Sequence, residues 1–62
     1  MNTEMLLKEF KNILELEKRA KFSYDHYLEQ IEDISIREKL TFIRDDEITH
    51  IKIAEKLIEL VS

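Results

Sequence analysis

The chain has 62 residues with no Gly, Pro or Cys, and 14 acidic side chains against 10 basic ones give it a formal net charge of −4. Without turn formers or cysteine, a strand-and-turn fold and a disulfide framework are both excluded, which leaves a single all-α domain over residues 1–62. The acidic balance speaks against nucleic acid, no stretch is apolar enough to span a bilayer, and the N-terminus has no secretory pattern. A cytoplasmic protein with no nucleic-acid and no membrane partner is therefore expected.

Helix 1 is expected from about residue 4 to 31, with Asn2 or Thr3 as its cap and Glu4 at the positive end of its dipole. Its apolar seam runs Leu6, Phe10, Ile13, Glu17, Ala20, Tyr24, Tyr27, Ile31 in a 4-3-4-3 rhythm. Glu17 interrupts that seam at an a-type position. Lys8, Lys11, Lys18, Arg19 and Lys21 are interleaved with acids and read as a solvated face, and His26 falls on an outward position. Tyr27 reads as a core aromatic.

The segment Glu32-Asp33-Ile34-Ser35 is the expected connector, because Ser35 followed by Glu38 has the form of a capping box and places the start of helix 2 at Ile36. Helix 2 is expected from about 36 to 61. Its seam runs Ile36, Leu40, Ile43, Glu47, His50, Ala54, Leu57, Val61, interrupted by Glu47 and His50. Asp45, Asp46, Glu55 and Glu59 are expected on its exposed faces, with Asp46 beside a candidate ligand.

A connector of about four residues makes the helices antiparallel neighbours. Counted from the middle of that connector, Glu17 and His50 lie at equal height on the two arms, and Glu47 is about one turn nearer the connector. The three are thus expected in one layer. A carboxylate in an apolar seam costs several kcal/mol, about as much as a metal or a counter-charge must return.

Glu47-x-x-His50 presents carboxylate and imidazole on one helix face, and Glu17 adds a second carboxylate from the other helix. This is half of the ligand inventory of a di-iron carboxylate bundle. Two helices this short also have apolar faces that one hairpin cannot cover, so a homodimer is expected, closing a four-helix bundle and completing the set. Mixed carboxylate and imidazole ligands suit iron and leave Mn or Zn as alternatives.

Glu17, Tyr24 and Asp46-Glu47-Ile48-Thr49-His50 together resemble the ferritin-like superfamily, and within it the half-length encapsulated ferritins that build a four-helix bundle from two chains. The resemblance covers about Glu15 to Leu60. It implies a ferroxidase that oxidises Fe(II) at the dimer interface, with two irons per dimer and one per chain. Carried over by position, Glu17 and His50 would be terminal ligands, Glu47 would bridge the metals, and Tyr24 would be the phenol above the site. It further implies a ring of dimers housed in an encapsulin shell for iron storage or detoxification. Leu16 and Arg19 stand where the family has acidic residues that help iron reach the site. The sequence ends at Ser62 without the family's shell-targeting extension, so encapsulation is expected to need a longer chain or another attachment. The alternative reading is a metal-free helical hairpin dimer acting as a structural or protein-interaction module.

Overall fold

The first helix begins where Asn2, extended at φ −83° and ψ 170°, accepts a hydrogen bond on its side chain from the Met5 amide at 2.8 Å. That bond satisfies one of the amides left free in a first helical turn. In the computed structural model, which describes residues 1–62, α1 then runs Thr3–Gln30 and α2 runs Ile34–Val61. The two helices pack against each other as an antiparallel hairpin 47 Å long and 14 Å across. Of 52 backbone hydrogen bonds, 49 lie within the helices, so almost all polar backbone is satisfied locally.

The connector is shorter than expected and is capped by a different residue. Asp33, not Ser35, is the N-cap of α2: its carboxylate accepts from the Ile36 amide at 3.0 Å, and α2 begins at Ile34 instead of Ile36. Capping at Asp33 lets the helix form two residues earlier, and aspartate caps at least as well as serine. It also places Arg37 within reach of the end of α1. The Arg37 guanidinium donates to the carbonyls of Leu28 and, at 2.8 Å, of Ile31. A helix end is commonly satisfied by glycine in the left-handed region; here no residue has positive φ, and a cation from the next helix takes up the carbonyls at the negative end of the dipole.

The contact between the helices takes in most of the two expected seams, with Phe10, Ala20, Tyr24, Leu40, Leu57 and Val61 among their half-buried members, and extends beyond them. Leu28 and Ala54, 8% and 2% exposed, are the buried residues, and Leu7, Leu14, Ile48, Ile51 and Ile58 join them as half-buried neighbours. Apart from Ala54, none of these belongs to the seams. Conversely, Ile13, Tyr27, Ile36 and Ile43, which do, are exposed. The apolar arc on each helix is wider than one seam. One edge of it closes the hairpin. The other edge, where exposed Ile13, Tyr27, Ile36, Ile43 and His50 alternate at seven-residue spacing with half-buried Leu6, Ala20 and Leu57, forms one open face. Tyr27, expected in the core, is 48% exposed on that face. The basic stripe also needs one correction: Lys21 is half-buried and paired, whereas Lys8, Lys11, Lys18 and Arg19 are exposed as expected. No helix is long and apolar enough to cross a membrane.

Candidate metal centre

Glu17, Glu47 and His50 come together halfway along the hairpin. One potential ligand atom from each lies within 4.8 Å of the others, and Glu17 Oε2 is 3.4 Å from His50 Nδ1 across the helix pair. The short connector sets this height match, and the i,i+3 spacing of Glu47 and His50 aligns them on α2. The His50 side chain is 52% exposed and that of Glu17 25%. The cluster therefore sits at the border between the hairpin interior and the open face. Ile13, Ile53, Ala54 and Leu57 line the same groove as Glu17 and His50.

Glu47 is the residue whose surroundings leave it least satisfied. Its Oε2 is buried and has no hydrogen-bond partner. Its carboxyl is pushed up from the ordinary glutamate range, first because Glu17 lies within proton-sharing reach, then by burial and by the negative charge of Glu17. His50 pulls weakly the other way and Asp46 adds to the rise. A proton or a cation between the two carboxylates relieves all three contributions. Two carboxylates and an imidazole nitrogen converging on one spot, with one oxygen unpartnered, fit a hard or borderline divalent cation such as Fe(II), Mn(II) or Zn(II).

Tyr24 lies on the same seam of α1 as Glu17. It is half-buried on α1, seven residues from Glu17 toward the connector, which is about 10 Å along the helix axis. Asp45, Asp46, Glu55, Glu59 and His26 are exposed, in line with expectation. His26 faces Gln30 across 3.3 Å on the outer surface of α1.

A second polar group, unforeseen in the sequence, joins the helices nearer the connector. Asp25 receives the Lys21 ammonium at 2.6 Å and the Arg44 guanidinium at 2.8 Å, and Arg44 also holds Asp45 at 3.0 Å. These contacts hold the Asp25 carboxyl below the ordinary aspartate range, with the Lys21 hydrogen bond the largest cause, and push Arg44 up through its bonds to Asp25 and Asp45. The i,i+4 spacing of Lys21 and Asp25 was the available signal. No family model, curated protein or solved structure matches this chain.

Proposed function

We propose that two copies of this hairpin pair through their open faces into a ferritin-like four-helix bundle and oxidise Fe(II) at a two-iron centre on the dimer interface. The observation that carries this reading is the convergence of Glu17, Glu47 and His50 at the edge of an uncovered apolar face, with a buried Glu47 oxygen that no group of the same chain satisfies. One chain offers two carboxylates and one imidazole. A two-fold axis through the open face doubles this to four carboxylates and two imidazoles, the inventory of a two-metal carboxylate site.

The iron is the substrate, and the oxidation balances as two Fe(II), one O2 and two protons giving two Fe(III) and one hydrogen peroxide. The protein's contribution is to hold two ions side by side so that the oxidant takes two electrons in one encounter. Glu17 and His50 would bind from opposite helices, fixing the ion between them. Glu47, the most enclosed of the three, would be shared between the two ions. It would release its proton as iron enters, since a bound cation reverses the effect of burial on a carboxyl group. Ile13, Ile53 and Leu57 would wall the centre on the open side once the second chain is in place. Tyr24, seven residues along α1 from Glu17, would be the phenol above the centre, beyond the ligands. By the same resemblance, the dimers would assemble into a ring inside an encapsulin shell and serve iron storage or detoxification.

The test is direct. Purified protein given Fe(II) in air should develop near-ultraviolet absorption far faster than buffer, and Glu47→Ala and His50→Ala should each abolish the gain, because each removes two ligands per dimer. A protein that stays colourless and oxidises iron no faster than buffer is instead a metal-free structural or interaction module.

A further inference from the structure

Two cations stand within side-chain reach of the cluster, yet neither touches it. Lys21 is four residues after Glu17, and glutamate followed by lysine at that spacing is the favoured order for a helical ion pair. Arg44 is three residues before Glu47, also within reach on its own helix. Lys21 instead pairs forward with Asp25 at 2.6 Å, which is the less favoured order, and Arg44 reaches across the hairpin to the other oxygen of Asp25 at 2.8 Å. All three side chains are partly buried, and one carboxylate engages both cations with separate oxygens. Glu17 is left facing His50, and Glu47 keeps an oxygen with no partner.

We propose that Asp25 is a positioning residue for the metal centre: by binding Lys21 and Arg44 it keeps both cations off Glu17 and Glu47, so that the two carboxylates stay available to a metal ion. This rests on the metal-binding reading of the cluster. Without Asp25, Lys21 has Glu17 as its alternative partner one turn back on α1, and Arg44, still held by Asp45 at 3.0 Å, has its freed Nη1 group within one turn of Glu47. An incoming metal would then have to displace an ammonium or guanidinium group before it could bind. An ordinary partly exposed ion pair weakens binding about fivefold when it must be broken first.

Titration with Co(II) alone, followed by its visible absorption, separates the possibilities without any oxidation step. Wild-type protein should bind Co(II), and Asp25→Asn should bind it about fivefold more weakly. Adding Lys21→Gln and Arg44→Gln to Asp25→Asn should restore the affinity, because the competing cations are gone. A role for Asp25 only in holding the helices together gives the opposite result, since the triple variant lacks every bond of the network. Lys21→Gln/Arg44→Gln with Asp25 intact supplies a second arm should Asp25→Asn unfold, and it should bind Co(II) as tightly as wild type or more so. Weaker binding by that double variant, no recovery in the triple variant, or an unaltered affinity in folded Asp25→Asn would overturn the role of Asp25. Absence of Co(II) binding by the wild type would overturn the metal reading itself.

Discussion

Glu17 of α1 meets His50 of α2 at 3.4 Å, Oε2 to Nδ1, although the two residues are 33 positions apart in the chain. A three-residue connector and two helices of 28 residues each produce this contact. It lies at the edge of the hairpin, beside the open face.

The exchange Glu17→Leu separates the energetic from the chemical role of that position. It replaces a partly desolvated carboxylate by hydrocarbon, so the metal-free dimer should gain about 1–3 kcal/mol of stability. Iron oxidation should fall by orders of magnitude in the same variant. A thermal melt of metal-free protein and an iron-oxidation time course read the two effects. Loss of stability together with an undiminished rate would place Glu17 outside the centre.

The pH dependence of the metal-free protein follows from Glu47. Its carboxyl is raised in the folded state by Glu17 and by burial, so between the ordinary and the raised value the folded form holds a proton that the unfolded chain has lost. The associated stability is present below the ordinary glutamate range and is lost as pH rises through the raised value. Asp25 acts in the opposite sense: its lowered carboxyl contributes above the ordinary aspartate range, and that contribution disappears as pH falls through the lowered value. Metal-free protein should therefore melt at a higher temperature in mild acid than at neutral pH, and melt lower again in strong acid. Glu47→Gln should flatten the step on the neutral side. Metal affinity should run the other way and fall on acidification, since binding displaces the proton.

Arg37→Ala tests the hairpin turn independently of the centre. The guanidinium serves two carbonyls at the end of α1, and charged donors contribute about 1–2 kcal/mol in such partly exposed settings. The variant should melt at a lower temperature by a corresponding amount while binding the same number of metal ions per chain. A change in metal stoichiometry would mean that the turn sets the height of the cluster more strongly than the packed helices do.

Much of the fold was legible because few sequences offer so few choices. With no Gly or Pro, the helical rhythm has only one interruption, and counting outward from it brings Glu17, Glu47 and His50 to one height. The rotation of each helix was less legible. Heptad seams identify an apolar arc but not which edge of it faces the neighbouring helix. Leu28 and Ile58 therefore went unnoticed as hairpin contacts, while Ile13 and Ile43 turned out to be exposed. Asp33 and Ser35 both carry capping side chains, and local pattern alone does not choose between them. The Asp25–Arg44 pair went unread because it requires the rotational phase of both helices.

The open face should make the metal-free protein self-associate, because Ile13, Tyr27, Ile36, Ile43 and Ile53 are too much exposed apolar surface for a stable monomer of this size. Sedimentation over a range of concentrations should find dimers or larger assemblies wherever the chain is helical, and added divalent metal should shift the balance further toward them. A helical monomer at all concentrations, unchanged by metal, would remove the basis for a centre shared by two chains.

The central claim is that two chains build one two-iron centre, and native mass spectrometry of protein loaded with Fe(II) under anaerobic conditions measures it most directly. The expected spectrum shows a dimer, or a multiple of dimers, carrying two irons per pair of chains, and Glu47→Ala carrying none. Iron bound to isolated single chains, or an assembled wild-type protein that retains no iron, would contradict it.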